Sequence, residues 1–210
     1  MKREIIIATQ NPKKAKELKE LLTELEVTVT TLKDYDLNFH IVEDGKTLKG
    51  NAIKKAVTCA RYVNKLTIAD DSGLIVKKLG GKPGIFSSRF AGEQGNDRKN
   101  ITKLLRLMQG FKGKEREACF VCFIAIAVPE GVIKIVSGTC RGVISQKRRG
   151  RGGFGYDPVF YLSKFKKTFA ELAPEVKNKI SHRGKALSKA KKELKIILDN
   201  KLPGIIFEKD

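Results

Sequence analysis

No stretch of about 18 uncharged apolar residues occurs in the 210-residue chain, so no membrane-spanning helix is expected. A signal-peptide core is lacking too: Met1-Lys2-Arg3 runs into Glu4 and a short strand-like pattern, and the expected location is the cytoplasm. The G-x-x-x-x-G-K-[ST] spacing of a Walker loop is absent. Cysteine is sparse. Cys59, Cys119, Cys122 and Cys140 include one C-x-x-C pair, but it lies inside the strand-like run Ala118 to Phe123, without turn residues or a second ligand pair. Core thiols are therefore expected in place of zinc ligands. No internal repeat and no linker is visible, so residues 1–210 read as a single domain. Acidic residues are few: 23 against 43 Lys and Arg leave a formal charge of +20, which favours anionic partners without choosing among them. The 41% hydrophobic and 31% charged content is that of a globular protein with a sizeable core.

What is present reads as an α/β pattern. Ile5 to Thr9 forms a first strand that meets Gln10-Asn11-Pro12, and Leu18, Leu21, Leu22 and Leu25 then recur at helical spacing. Asn11 suits the cap of that helix and Pro12 its first position. Val27 to Thr30 reads as a strand, giving a β-α-β opening. A second helix is expected from Thr47 to Tyr62, with Leu48, Ala52, Ile53, Ala56, Val57 and Ala60 inward. Leu66 to Ala69 is a buried strand pattern that ends at Asp70-Asp71-Ser72-Gly73, where either a capped turn with Gly73 at positive φ or a functional carboxylate pair is expected. Leu74 to Leu79 then reads as a further strand. Asn96 to Met108 is a capped helix ended by Gly110. Ala118–Val128 and Val132–Val136 form a hairpin, Thr139 to Ser145 a third strand, and Gly184 to Leu198 a last helix. The sheet is thus expected to be mixed.

Several clusters carry chemistry. Thr9-Gln10-Asn11-Pro12-Lys13-Lys14 surrounds a helix N-terminus, where free N–H groups suit a phosphate chain, although an ordinary cap explains the same residues. Lys147, Arg148, Arg149 and Arg151 stand among glycines before Phe154-Gly155-Tyr156-Asp157-Pro158. Basic groups beside two aromatic rings suit a nucleobase or nucleic acid, unless the rings belong to the core. Ser181-His182-Arg183-Gly184 precedes the last helix, with Lys177 upstream. Arg183 has the paired donors to read a carbonyl-bearing base edge, and Lys177 is a point charge suited to phosphate.

Taken together and in this order, Thr9-x-Asn11-x-x-Lys14, Ala69-Asp70-Asp71-Ser72-Gly73, Gly80-Gly81-x-Pro83-Gly84, Gly152-Gly153-Phe154-Gly155-Tyr156-Asp157-Pro158 and Ser181-His182-Arg183 resemble the inosine triphosphate pyrophosphatase (Ham1-like) family from about Ile5 to Leu198. The resemblance implies an elongated mixed β-sheet with flanking helices and two lobes enclosing a nucleotide cleft. The activity it implies is hydrolysis of ITP, dITP and XTP to monophosphate and pyrophosphate, with Mg2+ and usually as a homodimer. It makes Asp71 the catalytic carboxylate, and Glu43 with Asp71 the metal ligands. Substrate contacts are implied for Thr9, Gln10, Asn11, Pro12, Lys13, Lys14, Ser72, Phe154, Gly155, Tyr156, Asp157, Lys177, His182 and Arg183. Gln10 replaces a common glycine, Gly50 a frequent glutamate and Arg151 a small polar residue. The alternative is a nucleic-acid-binding protein that uses the 147–151 basic loop on a similar scaffold.

Overall fold

Ile5, Ile6 and Ile7 are all fully buried, so their strand must be covered on both faces, the situation of a parallel strand inside an α/β sheet. In the computed structural model, which describes residues 3–35, 41 and 44–199, this strand is β1 (Arg3–Ile7). It pairs in parallel with β2 (Val27–Thr31) on one side and β3 (Thr67–Val76) on the other. Beyond β3 follow β4 (Glu117–Val128), β5 (Gly131–Ile144), β6 (Phe160–Leu162) and β7 (Lys167–Thr168), giving a seven-stranded sheet of order β2-β1-β3-β4-β5-β6-β7. The β5–β6 and β6–β7 pairs are antiparallel, so the sheet is mixed, as its sequence pattern predicts. The helices are α1 (Pro12–Leu22), α2 (Leu48–Val63), α3 (Asp97–Leu107), α4 (Pro174–Ile180) and α5 (His182–Asp199). Among the described residues no helix is long and apolar enough to cross a membrane.

The chain divides into two compact units. The first holds Met1–Asp71, Phe123–Ser137 and Ala186–Asp210; the second holds Ser72–Cys122 and Gly138–Lys185. In the first, α2 turns Ala52, Ala56, Cys59 and Ala60 onto Ile6, Ala8, Ala69, Ala125 and Ala127. Small side chains on both surfaces let helix and sheet approach closely. The second unit is built around aromatic rings: Phe120 lies 4.6 Å from Phe160, and Phe160 lies 4.9 Å from Phe169. Cys59, Cys122 and Cys140 are buried and Cys119 is half-buried, all as free thiols.

Two expectations are corrected. The run Asp70-Asp71-Ser72-Gly73 is no turn: β3 continues through it to Val76, and residues 77–79 form a 3-10 turn. A break is unnecessary because both carboxylates find cationic partners within the extended strand. The proposed strands Val132–Val136 and Thr139–Ser145 are one strand, β5, whose residues Val136, Cys140 and Ile144 stay on a single buried register. α4, β6 and β7 are too short to show a period in the sequence. The segment 202–210 lies outside the described residues.

Arg116 organises the second unit. It is buried, and its guanidinium donates to the carbonyls of Met108 (2.7 Å), Phe111 (3.2 Å), Ile144 (2.5 Å) and Ser145 (2.8 Å), tying the end of α3 to the end of β5. Replacing Arg116 with methionine leaves these carbonyls without their donor and is expected to cost about 3 kcal/mol. Thermal unfolding checks this as a midpoint lowered by roughly 6–12 °C.

Candidate active site

Adjacent strand residues point to opposite faces, so Asp70 and Asp71 leave β3 on different sides and each needs its own counter-charge. Asp70, only 1% exposed, receives Lys14 from α1, with Nζ 2.9 Å from Oδ2. Asp71, 7% exposed, shares the face of Ala69 and receives two residues of α2. Asn51 Nδ2 donates to Oδ2 at 3.3 Å, and Lys55 Nζ approaches Oδ1 at 3.3 Å. Asn51 and Lys55 stand four apart, on one face of the helix. Asn51 also accepts the Gly45 N–H through Oδ1 at 2.8 Å. That fixes the amide orientation, and a Cβ at Gly45 would meet Oδ1 at 2.3 Å.

The Thr9–Lys14 segment forms the N-terminus of α1, with Pro12 in its first turn. Asn11 Oδ1 accepts from Lys13 N and Lys14 N, while Thr9 Oγ1 accepts from Asn11 N. The cap expected of Asn11 is present. Gln10, Asn11, Pro12 and Lys13 are exposed, and Lys14 reaches Asp70.

In the second unit, Phe154 is the half-buried ring of the group, with Lys177 Nζ 4.9 Å and the Arg183 guanidinium carbon 5.1 Å from its centre. Asp157 is buried and accepts from Lys177 Nζ at 2.9 Å and from Phe154 N at 2.9 Å. Burial pushes its carboxyl above the ordinary range, against the pull of Lys177 and the Phe154 N–H. Tyr156 is packed into the core and donates its hydroxyl to the Ser87 carbonyl at 2.9 Å, so the ring supports the loop from within. Burial, with the charge of Asp97 nearby, pushes its phenol upward. His182 lies flat on Phe120, centroids 4.5 Å apart. Arg183 Nη2 reaches Ser72 Oγ at 3.5 Å. Ser181 Oγ accepts from Gly184 N, and a Cβ at Gly184 would meet the Asn178 carbonyl at 1.6 Å, so only glycine allows α4 and α5 to approach here.

The structure therefore brings together Lys14 with Asp70, and Phe154, Asp157, Lys177 and Arg183 with one another. Asn51 and Lys55 were missed in the sequence; their signal was polarity on the inward stripe of an amphipathic helix. Glu43 lies outside the described residues. Among the described ones no group of three or more His, Cys, Asp or Glu is arranged to hold a metal ion. In the basic loop, Arg148 donates to the Arg98 carbonyl and Thr102 Oγ1, and Arg149 pairs with Glu171 at 3.2 Å, so two of its four cations are engaged within the fold. A cavity of about 760 Å³ in the second unit, walled in part by Cys119, Arg141, Phe165 and Lys185, contains none of the expected site residues.

Relatives match this chain along nearly its whole length. A dITP/XTP pyrophosphatase of Desulforamulus reducens is 50% identical over 186 residues, covering 89% of this chain and 92% of its own. One from Geobacillus kaustophilus is 47% identical over 199 residues, covering 95% and 98%. Among solved structures, a HAM1 protein from Coxiella burnetii superposes with a TM-score of 0.85 at 38% identity, covering 92% of this chain and 99% of its own. The Staphylococcus aureus Ham1 protein gives 0.82 at 40% identity, covering 92% and 98%. The profile of the Ham1 family matches residues 5–193, and with these relatives it establishes that the chain belongs to the Ham1 family.

Proposed function

We propose that this chain hydrolyses the triphosphates of non-standard purine nucleosides, ITP, dITP and XTP, to the monophosphate and pyrophosphate, and so clears them from the nucleotide pool. The observation that carries this reading is the half-buried Phe154 ring beside Arg183 and Lys177. An aromatic face next to fixed donors suits a purine with a 6-keto oxygen, and a 6-amino group would leave those donors unpaired. The relatives that are dITP/XTP pyrophosphatases support dITP and XTP among these substrates. Nothing in the relatives or the fold favours the nucleic-acid reading.

Asp71 is proposed as the group that orients the attacking water at the α-phosphorus and accepts its proton. Asn51 donates to one of its oxygens and Lys55 to the other, which holds the carboxylate at a fixed angle and keeps it ionised for that role. Lys14 and the start of α1 are proposed to take the phosphates. Carboxylate oxygens are hard donors that fit Mg2+, and Asp71, with Asn51 turning only a neutral amide to its Oδ2, would hold the ion together with Glu43. When bound, it would neutralise phosphate charge and polarise the phosphoryl oxygens. The enzyme is further proposed to act in the cytoplasm as a homodimer; sedimentation velocity giving a one-chain mass would refute the dimer.

Asp71→Asn keeps the size of the side chain and removes its basicity, so pyrophosphate release from ITP is expected to fall by about 10²–10⁴-fold with the circular dichroism spectrum unchanged. Wild-type turnover in that variant would remove Asp71 from the chemistry. Chelation of divalent cations is expected to stop the reaction, and added Mg2+ to restore it. For Arg183→Ala, kcat/KM for ITP is expected to fall at least about tenfold more than kcat/KM for ATP. Equal losses would mean that Arg183 does not read the base.

A further inference from the structure

Three glycines in six residues, Gly150, Gly153 and Gly155, take left-handed backbone at φ 78°, 73° and 59° in the loop that carries Phe154. Such a loop has unusual conformational freedom to lose, so something outside its own backbone must hold the ring in place. Two carboxylates do so. Asp157 accepts the Phe154 N–H from within the loop, so tightly that a Cβ at Gly153 would meet its Oδ2 at 2.0 Å. The other is Asp97, 58 residues away in sequence, whose Oδ2 accepts the Gly155 N–H at 2.7 Å.

Asp97 opens α3, yet the cap of that helix is the preceding residue: Asn96 Oδ1 accepts from Lys99 N at 3.0 Å. The Asp97 side chain is thus free of capping duty and is turned to the loop. α3 is itself anchored at its far end, because Arg116 binds the Met108 carbonyl. The loop is in this way referred to a rigid element of the same unit.

We propose that Asp97 is a positioning residue for base recognition: by holding the Gly155 N–H it sets the Phe154 ring against Lys177 and Arg183, and so sharpens the preference for 6-keto purines. The inference rests on the proposed role of Phe154 as the base platform. A purely structural role, a carboxylate at the start of a helix, would alter stability without altering selectivity.

The test uses the full chain with Asp97→Ala, Asp97→Asn, Phe154→Ala and the double variant, assayed for pyrophosphate release from ITP and ATP. Asp97→Ala is expected to raise KM for ITP about tenfold with kcat nearly unchanged, and to narrow the ITP-over-ATP ratio. Asp97→Asn, which keeps an acceptor oxygen, restores most of both. In the Phe154→Ala background, Asp97→Ala adds less than about twofold, since it acts through the ring already removed. Asp97→Ser, whose shorter hydroxyl does not reach Gly155, replaces the alanine variant if that one fails to fold. Equal losses on both triphosphates, full additivity in the double variant, or a change in melting temperature alone would overturn the proposal. An unchanged KM in Phe154→Ala would instead overturn the base-platform reading, and this inference with it.

Discussion

Two adjacent carboxylates in the middle of a largely buried strand set the terms for the first unit. Isolated charges at 1% and 7% exposure would be untenable, and adjacency on a strand forbids them from sharing one counter-ion. Each face of the sheet must therefore supply a cation. Lys14 comes from α1 and Lys55 from α2, so α2, whose small residues pack on β1 and β3, also brings a cation to Asp71. Packing and charge compensation are one constraint here. Moving α2 by a turn would leave Asp71 without Lys55 and Asn51.

The second unit solves a different problem with the same chemistry. A glycine-rich loop must present an aromatic ring at a fixed angle, and carboxylates provide the fixation by accepting backbone N–H groups. Asp157 and Asp97 take consecutive amides, and Lys177 answers the charge of Asp157 at 2.9 Å. Lys177 is thereby both a structural partner and a cation facing Phe154. Acidic residues are scarce in this chain, and several of those it has are spent at such joints.

Much of this was legible in the sequence where periodicity or local capping decides structure. Asn11 caps α1, Thr47 caps α2 and Asn96 caps α3 within a residue of their expected places, because each cap is a short-range hydrogen bond. The Asp-Asp-Ser-Gly run misled because turn propensity is local, whereas the lysines that make an extended strand tolerable there arrive from residues 14 and 55. Asn51 and Lys55 were overlooked for the mirror reason: on the apolar stripe of α2 they read as imperfections, and only the position of Asp71 gives them a purpose. Asp97 is likewise silent in sequence, since its partner Gly155 is brought to it by the tertiary fold.

The departures from the resembling family can be weighed on the same grounds. Gly50 stands at the third position of α2, where the family's frequent glutamate would complete a reciprocal capping box with Thr47. Here Thr47 Oγ1 still accepts the Gly50 N–H at 2.9 Å, so half of the box survives. What is lost is a cap partner and about 1 kcal/mol of helix propensity relative to alanine. The Asp71 clamp is untouched, because its residues are Asn51 and Lys55, one and five positions further along, on the inward face. Gln10 and Arg151 are exposed, so their larger side chains displace nothing in the core. The exchanges therefore fall on the helix start and the surface, away from the buried charges that fix the strand and the loop.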